Sequence, residues 1–137
     1  MSTNSYKYRG RLIKECDALV SLIVRNRDRQ CVTCVYLGKY PDTIRQPVSA
    51  LQCGHLLSRR FGGTRFDLTN CNAQCPGCNK SHNFDSVPYT QWFIKKYGQE
   101  AWEDLYRKAR ALKKWRIFEL EALKVELTEE LKKYESI

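Results

Sequence analysis

At 137 residues with 42% hydrophobic side chains, the chain suffices for one domain with a modest core and is too apolar to stay disordered. Its 24 Lys and Arg against 15 Asp and Glu leave a net charge of +9, which points to a polyanionic partner, with a merely solubilising surface as the alternative. The longest apolar run, LVSLIV, is far too short to cross a bilayer.

The polar, basic start MSTNSYKYRGR reads as no secretory leader, so a cytoplasmic protein without membrane contact is expected. Residues 10–27, GRLIKECDALVSLIVRNR, place Leu12, Cys16, Leu19 and Ile23 at helical spacing before a basic exit, which predicts an N-terminal helix within residues 1–27. Residues 28–88 change character. The stretch RDRQCVTCVYLGKYPDTIRQPVSALQCGH mixes β-branched residues, prolines and turn formers, and predicts short strands and loops. Residues 69–82 read as a turn leading into a short helix. Residues 89–137 are helical in pattern, with a stop at Gly98 between YTQWFIKKY and EAWEDLYRKARALKKW. The last helix carries Leu120, Leu123, Leu127, Leu131 and Tyr134 at steps of three and four, a stripe suited either to a second copy of the chain or to the protein's own helices. The whole chain, 1–137, reads as a single domain.

Two Cys-x-x-Cys pairs, CVTC (Cys31, Cys34) and CPGC (Cys75, Cys78), stand 40 residues apart. Seven cysteines in a reducing compartment suit metal better than disulfides. Two tight turns, each presenting two thiolates, complete a tetrahedral structural zinc site with no open position. Four ordinary buried cysteines, or one redox-active pair, are the alternatives. Cys16 belongs to the apolar face of the first helix; Cys53 and Cys71 have no assignment.

Between the pairs lie Gly54-His55, a basic run with Arg59, Arg60 and Arg65, then Asn70, and Asn79 directly after the last cysteine pair. The pattern CGH…LTNCNAQCPGCNKSH resembles the HNH, or ββα-metal, endonuclease motif in its zinc-stapled form. Together with LIVRNRDRQCVTC, GHLLSRR…RFDLTN, VPYTQWFIKKYGQEAWEDL and KKWRIFELEALKVEL, it is similar to the NinG/Rap family of lambdoid phage recombination endonucleases over about residues 10–134. The resemblance implies an α+β fold: a zinc-stapled, treble-clef-like ββα core with an N-terminal helix and a helical C-terminal region. It also implies a structure-selective DNA endonuclease acting on Holliday junctions, D-loops and three-strand junctions, a homodimer, and residence in the host cell cytoplasm.

The resemblance assigns roles as well. His55 would end the first strand, the Asn70 position would orient it, and His55 and Asn79 would stand beside a catalytic Mg²⁺ or Mn²⁺. Chemistry agrees on the base, because a neutral imidazole accepts a proton near pH 7 and His55 is the one candidate placed for it. Arg59, Arg60, Arg65, Lys80 and His82 are the expected DNA-phosphate contacts. One departure stands out: the acidic residue that commonly precedes the first His is here Gly54, and the Asp often found three residues before it is Gln52. Asp67 or Asp85 could supply the missing carboxylate. A non-catalytic zinc-knuckle module that binds nucleic acid, or a less selective HNH nuclease, are the alternative functions.

Overall fold

The computed structural model describes residues 2–135. Helix α1 (Thr3–Asp28) opens under a Ser2 cap and is followed by the short α2 (Val32–Tyr36), a 3₁₀ turn (Val48–Ala50) and strand β1 (Gln52–His55). Then come α3 (Gly62–Arg65), strand β2 (Cys71–Gln74), α4 (Pro76–Ser81), α5 (Val87–Tyr97), α6 (Gln99–Arg110) and α7 (Ile117–Glu135). The chain is therefore mixed α+β and mostly helical, with one two-stranded antiparallel sheet in which Gln52 pairs with Gln74 and His55 with Cys71. Among the described residues, no helix is long and apolar enough to cross a membrane.

Three departures from the sequence reading have physical causes. Val32–Tyr36 is helical although it is rich in β-branched residues, because Cys31 caps it: its Sγ accepts the Cys34 amide at 3.4 Å. Residues 71–74, read as a turn, form β2 and are fully enclosed, since α1 covers the sheet. Helix α6 stops at Arg110 and not at Trp115, because Trp115 folds back to donate its indole N–H to the Gly62 carbonyl. That return brings the Lys113 carbonyl so close to Gly62 that a Cβ there would lie 2.3 Å from it.

The largest core joins α1 to α7. Leu12, Cys16, Val20, Ile23 and Val24 pack with Leu120, Leu127 and Leu131, and with Phe66 and Cys71 from the middle of the chain. Each fully buried leucine contributes about 1.5–3 kcal/mol. The α7 stripe is thus covered by α1, with Leu123 and Tyr134 at its margin. The spacing alone could not say which apolar partner the stripe meets. A second core holds α5 and α6 against the middle of the chain through Val32, Leu56, Tyr89, Phe93 and Leu105.

The end of α1 fastens the sheet. Arg27 donates to the Leu68 and Cys71 carbonyls and to Asn72 Oδ1, and Asp28 accepts the Ala73 amide at 2.8 Å. From the other side Tyr89 on α5 reaches the sheet. Its hydroxyl donates to the Gly54 carbonyl at 2.7 Å and accepts from Asn72 Nδ2 at 3.0 Å. Complete burial holds that phenol in its protonated, donating form.

Candidate metal centre and basic cavity

The four cysteines of the two Cys-x-x-Cys pairs converge, with all four Sγ atoms within 4.8 Å of one another. The two turns are built alike. Cys31 caps α2 and Cys75 caps α4, and each sulfur accepts the amide of the cysteine three residues on, at 3.4 Å. Across the turns Cys34 Sγ lies 3.6 Å from Cys78 Sγ and 3.9 Å from Cys75 Sγ. A tetrahedral ion with bonds of about 2.3 Å needs its sulfurs about 3.8 Å apart, so this cluster has the donors and the spacing to hold a zinc ion. Burial and the neighbouring thiols push Cys34 up to about 11 and Cys78 higher still. Burial also raises Cys75, but the Cys78 amide and the surrounding thiols outweigh it and bring Cys75 down. Leu51 and Ala73 pack against the four cysteines.

Beside this cluster, β1, α1 and α4 enclose an open cavity of about 1060 Å³. His55, Gln52, Cys53, Arg59, Asn79, Lys80 and His82 all line it. The structure thus brings together seven residues dispersed over 31 positions of sequence, and adds Asp17 and Arg25 from α1. Arg25, Arg59 and Lys80 outnumber the single lining carboxylate, Asp17, so the cavity favours an anion.

His55 ends β1 with its ring half-buried, and its Nε2 lies 3.0 Å from the Arg65 carbonyl. A carbonyl can only accept, so Nε2 carries the proton and Nδ1 holds the lone pair of the neutral ring. Burial pulls the His55 pKa below its ordinary value. The Arg65 carbonyl and Asp17 oppose this, and Arg59 and Arg65 reinforce it. The ring is therefore neutral at pH 7.

Asn70 is fully buried and touches the His55 ring only indirectly. Its Oδ1 accepts the Leu57 amide at 2.9 Å, while Nδ2 donates to the carbonyls of Leu57 at 3.0 Å and Thr64 at 3.1 Å. Thr64 precedes Arg65, whose carbonyl holds His55. Asn70 also accepts the Leu56 amide on its own carbonyl at 2.8 Å. It clamps both ends of the 57–64 loop and so sets where the Arg65 carbonyl points. Asn79 donates from Nδ2 to Gln52 Oε1 at 2.9 Å, which turns both amides toward each other at the cavity edge.

The basic residues separate into two kinds. Arg59 and Lys80 are exposed at the cavity, and Arg60 is exposed nearby, stacked over Phe61. Arg65 is not a free phosphate contact: its guanidinium pairs with both Asp17 oxygens, at 3.0 and 2.7 Å, and does not line the cavity. His82 also serves the fold. Its Nε2 donates to the Leu56 carbonyl at 2.7 Å, its ring packs on Tyr89, and its buried Nδ1 has no partner.

Neither carboxylate suggested by the sequence reaches the cavity. Asp67 is held by Lys108 and Thr69, and Asp85 accepts the Val87 amide. An acidic side chain at position 54 would have to displace Gln74. A Cβ on Gly54 would meet Gln74 Oε1 at 1.9 Å, because the buried Gln74 side chain crosses that strand on its way to Thr33. Asp17 and Arg25 are the charged cavity residues that sequence reasoning missed, and Tyr89 the buried support of the sheet beside it. Asp17 lay in a plain amphipathic helix, where nothing local marks a carboxylate for a cavity formed 38 residues later.

Comparison with known proteins agrees on one family. The family model described as "NinG: Bacteriophage Lambda NinG protein" matches residues 2–136. Protein ninG of Escherichia phage lambda is 29% identical over 135 residues, covering 92% of this chain and 58% of that protein. Protein ninG of Escherichia phage 933W is 28% identical and that of Salmonella phage P22 is 27% identical, each over 135 residues, with 92% of this chain and 59% of the relative covered. This chain thus spans under three fifths of the length of these curated relatives. No solved structure matches it.

Proposed function

The chain belongs to the bacteriophage lambda NinG family, and on that footing we propose that it is a DNA endonuclease of the HNH, ββα-metal type, hydrolysing phosphodiester bonds in branched recombination intermediates. The observation that carries the reading is His55. It is a neutral ring with a depressed pKa, fixed through Nε2, at the wall of a cavity rich in arginine and lysine. The order β1, β2, α4 with a four-cysteine cluster beside it supports the HNH assignment. The preference for branched DNA rests on the resemblance to phage recombination endonucleases.

In the reaction proposed, phosphate enters the cavity against Arg59 and Lys80, which offset the charge that grows on its oxygens. His55 Nδ1 takes a proton from a water molecule as that oxygen attacks phosphorus. The P–O bond to the leaving strand breaks, and the departing oxygen is protonated by solvent. Asn70 and the Arg65 carbonyl hold the ring so that its lone pair, and not its N–H, faces the water.

The expected Mg²⁺ or Mn²⁺ would stabilise charge on the phosphate and leaving oxygen. Such hard ions take oxygen ligands, commonly one or two carboxylates with substrate phosphate. Here Asn79 supplies an amide oxygen and Asp17 the sole lining carboxylate, which Arg65 already holds. These residues do not by themselves make a hard-cation site. That shortage is what favours the second reading, a zinc-stapled module that binds DNA without cutting it.

The test is single-turnover cleavage of labelled four-way and linear DNA with Mg²⁺, with Mn²⁺ and with EDTA. Cleavage of the junction by the wild type, with a loss of about 10²- to 10⁴-fold in His55→Ala at saturating protein, is the expected result. Equal rates from the variant would exclude His55 as the base. Binding without cleavage under every ion favours the second reading.

A further inference from the structure

Cys53, His55 and Cys71 form a second cluster of ligands, of which the four-cysteine centre uses none and the proposed hydrolysis only His55. One ligand atom from each lies within 4.8 Å of the others. The sheet register produces this. Cys53 and His55 are alternate residues of β1 and so share a face, and Cys71 is the direct cross-strand partner of His55. Two small apolar-behaving residues under α1 would satisfy packing without any ligand role. Packing does not require that both be thiols flanking a histidine whose ring lines a cavity.

We infer that Cys53, His55 and Cys71 constitute a second metal site, for a thiophilic divalent ion of the zinc class. Two thiolates and an imidazole with a fourth position open are a known zinc donor set. Bonds of about 2.0–2.3 Å require ligand atoms about 3.5–3.8 Å apart, so side-chain rotations of about an ångström close the cluster around an ion. Cys71 is fully buried, whereas Cys53 and His55 line the cavity, so the ion enters from the cavity and its fourth position faces it. Binding displaces the Sγ protons of Cys53 and Cys71 to the buffer, two per ion, while His55 coordinates as the neutral ring. The same cavity is short of free carboxylate, so the soft donors and not the oxygens decide which ion is retained. A zinc-class ion here takes up His55 and blocks its use as a base. This consequence rests on the nuclease reading; the site itself does not.

The experiment titrates the purified zinc-loaded chain with Co²⁺ and with Zn²⁺, following thiolate-to-cobalt charge-transfer absorption, ions bound per chain and protons released. Wild type should take up one ion beyond that of the four-cysteine centre and release two protons for it. Cys53→Ala, at a half-buried position packed against the α1–α7 core, should take up none beyond the first while circular dichroism reports an unchanged fold. Cys71→Ala should behave the same if its buried core tolerates the change, and circular dichroism monitors that. In cleavage assays, micromolar Zn²⁺ should inhibit wild type at least tenfold and leave Cys53→Ala unaffected. A wild type that binds only one ion at hundreds of micromolar, or a Cys53→Ala that still binds two, overturns the site. Full cleavage with both sites filled overturns the block. If the wild type never cleaves, uptake and proton release still decide the site independently of the nuclease reading.

Discussion

Removing the Asn70 amide tests how the fold presents its histidine. Asn70→Ala deletes three hydrogen bonds of 2.9, 3.0 and 3.1 Å that join the Leu57 amide, the Leu57 carbonyl and the Thr64 carbonyl. A net intramolecular hydrogen bond is worth about 0.5–1.5 kcal/mol, so the three together come to about 1.5–4.5 kcal/mol. The upper half of that range is expected, because Asn70 is fully enclosed and no water can replace it. Against a typical total of about 5–15 kcal/mol the variant should remain folded but markedly weakened. The effect on His55 is more specific. With the 57–64 loop released, the Arg65 carbonyl no longer fixes Nε2 and water reaches the ring. Burial is the largest cause of the lowered His55 pKa, so its relief should move that pKa back up toward about 6.5. Urea unfolding at fixed zinc concentration measures the first effect, and an NMR titration of the His55 ring protons measures the second. A stability change under about 0.5 kcal/mol would refute the clamp. A destabilised variant whose His55 titrates as in the wild type would refute the coupling from Asn70 to His55.

The remaining expectations are independent of one another. Serine at any of Cys31, Cys34, Cys75 or Cys78 should abolish tight zinc retention and cost several kcal/mol, since metal binding and folding are coupled; metal analysis with thermal unfolding checks it. Cleavage should fall as pH drops through the His55 pKa, which lies below about 6.5; the base acts when deprotonated, so the acid limb of the rate profile should sit below that value and vanish in His55→Ala. Arg65→Ala should destabilise the fold by about 1–3 kcal/mol, because it leaves half-buried Asp17 unpaired. Arg59→Ala with Arg60→Ala should instead leave stability within about 0.5 kcal/mol and reduce the salt slope of DNA binding by about one to two units. Gly54→Ala should cost about 1–3 kcal/mol through the collision with Gln74, seen in the same unfolding assay.

Much of the site was legible in the chain because local rules govern it. The paired cysteines need only a tight turn each, so CVTC and CPGC announced a four-thiolate cluster without any knowledge of the fold. The Gly-His at the end of a short strand, the basic run after it and the closely following asparagines were readable for the same reason. The helical periods of α1 and α7 were readable too, since an apolar stripe repeats every three to four residues whatever it faces. What that stripe faces was not readable. Leu120, Leu127 and Leu131 would suit a second copy as well as α1, and only the packed chain chose α1. Likewise no residue near Arg65 indicated that it would meet Asp17, 48 positions earlier, and leave phosphate binding to Arg59 and Lys80. The cluster of Cys53, His55 and Cys71 exists because the register sets His55 opposite Cys71, and a slip of one residue would turn those side chains to opposite faces. A carboxylate at position 54 would have to displace Gln74, a long-range neighbour that already occupies the space. Spacing along the chain determined which groups could bind metal or take a proton. Register and helix docking, which join residues far apart in sequence, decided which of those groups meet.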